Sequence, residues 1–214
     1  MRRIALAIVA VGLIGGCAPS DQFWKKPDIG ARITTLEDAL KQPETVRNLD
    51  LFNRQQPVFP ADILKLKNLE RLSLRKNTVV TVPEAIASLT ALKWLDLGES
   101  GLTELNPAVG SLPHLSMLYV NDNALTELPG ALATLPGLQY LNADRNKLTT
   151  LPAALGKSES LKWLRLNDNQ ITALPGDLSG LARNLKRLYL RGNPIPDPEK
   201  ARIKQALPNC QVMF

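Results

Sequence analysis

Side chains suited to covalent or acid–base chemistry are scarce in this sequence. Its 214 residues include one histidine, His114, and two cysteines, Cys17 and Cys210. No serine and aspartate accompany His114 at matching places, so no nucleophile–base–carboxylate arrangement is supported. Two cysteines at opposite ends give no zinc spacing, and there is no glycine-rich phosphate loop. No catalytic residue, metal ligand or cofactor is therefore expected. Oxygen-bearing side chains do recur at Gly98-Glu99, Asn121-Asp122, Asp144-Arg145 and Asn167-Asp168. A hard cation such as Ca²⁺ takes such ligands. They lack a known loop spacing, so a solvated polar rim is the expectation and the Ca²⁺ question stays open.

What recurs is a pattern that builds a surface. Leu161 to Asn169 reads L-x-x-L-x-L-x-x-N, and the same pattern starts at Leu69, Leu115, Leu138 and Leu185, with variants at Val46 and Leu92. The starts are spaced by 23 residues, except for a last step of 24. A period of that length marks a stacked-repeat architecture. Within each copy the fourth and sixth positions are apolar and alternate with outward ones, which predicts a strand. The ninth positions, Asn77, Asn123, Asn146, Asn169 and Asn193, form a column in which each amide can serve backbone donors and acceptors of adjacent turns. Ser100 can do part of this work; Arg54 in the first copy cannot. The return half carries L-P-x-x-L spacing, as in Leu128-Pro129 and Leu174-Pro175, which suits a short α- or 3₁₀-turn on the outer side.

Stepping along the strands, the third positions are Asn48, Arg71, Trp94, Met117, Tyr140, Trp163 and Arg187, and the fifth are Asp50, Ser73, Asp96, Tyr119, Asn142, Arg165 and Tyr189. The chain has three Trp and three Tyr. Two of the Trp and all of the Tyr fall on these outward positions. Leucines already fill the core, so packing does not require this placement. With strands about 4.8 Å apart, Trp94, Met117, Tyr140 and Trp163 should make a ridge about 15 Å long. Exposed contiguous apolar surface marks binding sites, and Trp, Tyr and Arg dominate interface energetics. The expected partner-binding set is Arg71, Trp94, Asp96, Met117, Tyr119, Tyr140, Asn142, Trp163, Arg165, Arg187 and Tyr189. Cross-strand stiffening of the sheet is the alternative use of the same aromatics.

Residues 46 to 195, with seven copies in register and an asparagine column, resemble the leucine-rich repeat family. The resemblance implies an α/β right-handed curved solenoid, parallel strands on its concave face, helical turns on the convex face, and partners bound in the concavity. Both ends resemble the caps of bacterial members. At the N-terminal end, Thr34-Thr35-Leu36-Glu37 reads as a capping box, and Pro43 stops the helix, predicted at about 35–41. At the C-terminal end, a helix is expected at about 197–206 and a strand over Gln211 to Phe214. The repeat domain should therefore span 33–214, with the C-terminal cap at about 196–214.

The N-terminus reads as an address. Met1-Arg2-Arg3 precedes eleven apolar residues, Ile4 to Ile14, too few to span a bilayer but laid out as a signal peptide. Ile14-Gly15-Gly16-Cys17 resembles the lipobox of bacterial lipoproteins. The resemblance implies removal of residues 1–16 and acylation of Cys17, and Ala18 after it implies sorting to the outer membrane. Residues 17–32 then form a tether on the lipid anchor. Without Arg2 and Arg3 the 26 Lys and Arg fall to 24 against 20 Asp and Glu, lowering the net charge from +6 to +4. The basic residues are scattered, so nucleic acid is not an expected partner. The expectation is a non-catalytic envelope lipoprotein, monomeric, that binds a protein through its concave face. A glycan-binding module and an envelope scaffold are the alternatives.

Overall fold

A computed structural model of the chain describes residues 30–79 and 81–214; the signal-peptide and Cys17 readings lie outside them, as does the tether up to residue 29, while its end is held by an ion pair of Arg32 with Asp50. Eight parallel strands form one sheet in chain order: β1 Asn48–Asp50, β2 Arg71–Ser73, β3 Trp94–Asp96, β4 Met117–Tyr119, β5 Tyr140–Asn142, β6 Trp163–Arg165, β7 Arg187–Tyr189 and β8 Gln211–Met213. Each central leucine pairs with the next, Leu49 with Leu72 and so on to Leu188 with Val212. The fourth- and sixth-position apolar residues are buried throughout. They meet the leucines of the return turns in one continuous core.

The return segments are 3₁₀ turns of five residues, as at Ala61–Lys65 and Ala153–Lys157. The one 24-residue repeat is the exception: its return segment is the helix α2, Ser179–Asn184. The smaller rise per residue of an α-turn, about 1.5 Å against about 2.0 Å, absorbs the extra residue. The convex turns stack closely. A Cβ at Gly156 would collide with the Asp177 carbonyl, and one at Gly180 with the backbone of Lys157.

The asparagine column works as its spacing suggests. Asn123 Nδ2 donates to the Leu97 and Val120 carbonyls, both at 2.9 Å, while its Oδ1 accepts from the amides of Ser100 and Leu102, both at 3.0 Å. Asn77, Asn146, Asn169 and Asn193 repeat the donation to the two corresponding carbonyls. Ser100 reaches the Leu74 carbonyl at 3.0 Å. Arg54 and Gln56 take no part as side chains, but their amides donate to Asn77 Oδ1.

One feature of every repeat leaves no trace in residue type. The eighth position has a left-handed backbone in all seven: Asn53, Lys76, Glu99, Asp122, Arg145, Asp168 and Gly192, with φ between 52° and 71°. Only the last is the glycine that this conformation favours.

Both ends are closed. The helix α1, Leu36–Lys41, buries Ala39, with Leu36 and Leu40 packed against the core. Its cap lies one residue later than the capping box implied: Thr35, not Thr34, accepts from the amide of Asp38, so Asp38 rather than Glu37 occupies the third helical position. The free edge of β1 is covered by Ile33, which exchanges hydrogen bonds with Asn48 and Asp50. At the other end, the helix α3, Asp197–Ala206, takes the place of a further repeat. Glu199 accepts from the Leu174 amide, and Arg202 donates to the carbonyls of Leu174 and Pro175.

Asn146→Ala takes the acceptor from the buried Leu125 amide and one of two donors from the Val120 and Ala143 carbonyls, which keep Asn123 and Asn169. At roughly 1–3 kcal/mol for the one group left unsatisfied, the variant should lose about that much in a denaturant titration. Ser100→Ala, which removes one hydroxyl, should lose clearly less.

Candidate functional site

The concave face is built by residues on either side of each buried central leucine. The register places Arg71, Trp94, Met117, Tyr140, Trp163 and Arg187 in one row, and Ser73, Asp96, Tyr119, Asn142, Arg165 and Tyr189 in a second. The expected set is therefore brought together.

Its exposure differs from the expectation. Tyr140 is 2% and Trp163 6% exposed, so half of the expected ridge is closed to a partner. For Tyr140 the strand spacing contributes: large side chains on adjacent strands of the sheet lie against one another. The rings of Trp94 and Tyr119 are 5.3 Å apart and those of Tyr119 and Tyr140 5.0 Å, both tilted, within the range of favourable aromatic pairs. Arginines extend the layer at both ends. The Arg71 guanidinium lies 3.8 Å from the Trp94 ring centroid and that of Arg165 5.0 Å from the Tyr189 ring, both cation–π contacts. The accessible part of the layer is Arg71, Trp94, Met117 and Tyr119, each half-buried.

Two buried charges lock this layer to the rim. Arg165 forms an ion pair of 2.6 Å with Asp144, which is 1% exposed on its side chain. Asp144 also accepts from the Asn167 amide at 2.7 Å. Removing one partner of such a pair strands a buried charge. Other rim carboxylates are likewise held by arginine, Glu99 by Arg75 and Asp122 by Arg145. Among the described residues no three acidic, histidine or cysteine side chains converge as a metal site would require.

The fifth-position acids and amides of the first, third and fifth repeats share a local role. Asp50, Asp96 and Asn142 each accept from the amide two residues on, at 2.9–3.0 Å. Asp96 does so while 7% exposed. Burial pushes its carboxyl up to about 6, against the Gly98 amide and Arg75, which act the other way. Burial likewise raises the phenols of Tyr119 and Tyr140. Cys210, half-buried and free, is raised by burial to about 11, so it is not an activated thiol.

The outward rows do not stop at the seventh repeat. Gln211 pairs with Arg187 and Met213 with Tyr189, adding two concave positions. Their signal was the alternation Gln211-Val212-Met213 around an apolar centre. With Arg191 they border a cavity at the C-terminal end of the face.

This geometry has counterparts. Residues 92–148 and 144–195 match the family model for the leucine rich repeat. Residues 92–195 are therefore built of leucine-rich repeats, and the chain has the fold of a leucine-rich-repeat solenoid. Among solved structures it is similar to an LRR protein of Leptospira interrogans, at 29% identity and a TM-score of 0.53, over 86% of this chain and 58% of that one. It is also similar in fold to an internalin (inlF) of Listeria monocytogenes, at 24% identity and a TM-score of 0.69, over 86% of this chain and 51% of that one. The chain thus spans little more than half the length of either. No curated protein matches it. Leucine-rich-repeat domains are typically modules of protein–protein interaction and are generally non-catalytic.

Asp96 sets a pH dependence. Its carboxyl holds a proton up to about 6 when folded, against 3.8 ordinarily, so the folded state binds the proton more tightly. Stability then falls as pH rises from about 4 to about 6 and levels off above. Asp96→Asn keeps an acceptor for Gly98, as Asn142 does for Asp144. The variant should match the parent near pH 4 and exceed it at pH 8 by on the order of 2–3 kcal/mol, measured as the difference in unfolding free energy across pH.

Proposed function

We propose that this protein is a non-catalytic, lipid-anchored component of a bacterial cell envelope, sited at the outer membrane, that binds a protein partner through its concave face. The observation that carries the reading is the gathering of two of the chain's three tryptophans and all three of its tyrosines on that face. There the buried Tyr140 and Trp163 form a floor, and Trp94, Met117, Tyr119 and Arg71 form the accessible surface. A surface held by its own packing loses little conformational freedom when a partner docks, which favours affinity. A glycan is the alternative ligand. Sugar rings bind by lying on open aromatic faces, whereas Arg71 and Tyr119 already flank the Trp94 indole. The arrangement favours a protein. The anchor rests on the sequence Ile14-Gly15-Gly16-Cys17, where two or three acyl chains would hold the domain stably to a membrane.

A photoreactive residue at position 117, in cells of the native organism, should give a discrete protein adduct identifiable by mass spectrometry. Trp94→Ala in the same chain should reduce that adduct about tenfold or more while the thermal unfolding transition remains cooperative. Recovery of glycan fragments, or an adduct indifferent to Trp94→Ala, would overturn the reading. For the anchor, the mature protein should partition into detergent and carry the added mass of acyl chains. Cys17→Ser should move it to the aqueous phase with no added mass.

A further inference from the structure

The concave face changes character along its length. Around β3 to β5 its side chains lie on one another. Toward β7 and β8 the sheet opens into a cavity of about 640 Å³, bordered by four arginines, Arg145, Arg165, Arg187 and Arg191. Two of these are committed: Arg145 to Asp122, and Arg165 to the buried Asp144. Arg187 and Arg191 are exposed and enter no ion pair among the described residues. Asp168 is the one cavity carboxylate in no ion pair among the described residues. Two guanidinium groups and one carboxylate outside any ion pair therefore border the same open space. Tyr189 and Met213 give the cavity an apolar wall, and Gln211 supplies an exposed amide.

We infer that this cavity takes an acidic stretch of polypeptide, with carboxylates seated on Arg187 and Arg191. The inference rests on the proposal that the concave face binds a protein, and it names the chemistry of the part that docks here. Guanidinium forks match carboxylates with two parallel hydrogen bonds. Asp168 calls for a hydrogen-bond donor beside the bound anion, which a phosphate dianion scarcely supplies. A peptide brings backbone N–H groups that Asp168 and Gln211 can accept, and side-chain surface that Tyr189 and Met213 can cover. The cavity thus offers cations, an anion, an amide and apolar wall, the mixture an acidic peptide can use in full. Such charge pairing also steers encounter, so the interaction weakens as salt screens it.

Fluorescence anisotropy on the full chain tests this, with a short fluorescein-labelled peptide of alternating Asp and Gly at low ionic strength. The Asp peptide should bind at least about tenfold more tightly than its Asn counterpart. Arg187→Glu with Arg191→Glu should remove most of that difference. Lys67→Glu with Lys76→Glu, an equal charge change on exposed residues at the far end, should leave at least half of it. Both pairs lie on the surface, and unchanged melting curves would show that each variant folds. Equal loss from both pairs would reduce the effect to net charge and overturn the inference. No preference for Asp over Asn would overturn it as well, as would displacement of the peptide by sodium phosphate far better than by sodium acetate at matched ionic strength. These outcomes leave the adduct at position 117 untouched. Failure of the cavity and failure of the concave face as a protein-binding surface are thus told apart.

Discussion

The fold depends on one amide per turn. Each repeat must reverse direction beyond its strand, and the reversal carries peptide groups into the interior, where an unpaired N–H or C=O is costly. No helix or ladder can serve them there. The asparagine side chain does, because a planar amide presents two donors on one side and an acceptor on the other, and its length spans the gap between successive turns. Asn123 ties the backbone of the preceding repeat to that of its own in this way. The leucines supply the apolar driving force, but leucines alone would pack in many registers. The column of amides allows one.

That fixed register gives the concave face its properties. With strand partners locked residue to residue, large side chains on neighbouring strands lie against one another across the two rows. The result is a layer more like an outer core than a fringe of exposed rings. It is continued at one end by Arg71 on Trp94 and at the other by Arg165, which joins ring and rim through Asp144. Beyond that junction the packing gives way to the open, arginine-bordered cavity. A stiff middle and an open end on one sheet suit different parts of a single ligand.

Most of this was legible in the sequence because the signal repeats. Seven copies of a pattern average out local ambiguity, and the strands, the asparagine column and the membership of both outward rows follow from position in the repeat, while the terminal helix at 197–206 follows from the likeness of that end to a cap. What periodicity cannot convey is how far neighbours cover one another. It assigned Tyr140 and Trp163 to the right face and the wrong exposure. The helix cap moved by one residue because adjacent threonines offer the same chemistry and backbone geometry chooses between them. Gln211 and Met213 were missed as concave positions because the eighth strand carries no copy of the motif. Asp144 resembled a rim residue by its place after the strand, and only the side-chain packing shows that it anchors Arg165.

The left-handed residue at the eighth position of each repeat has a wider consequence. Seven different contexts hold asparagine, lysine, glutamate, aspartate, arginine, aspartate and glycine at nearly the same φ. The conformation is therefore imposed by the turns above and below, and the side chain there is nearly irrelevant to the bend. A joint that does not read its own residue can be copied. Repeats joined this way can be duplicated or lost in evolution without redesigning the hinge between them. The rim they carry can change its charge while the curvature of the face beside it stays the same.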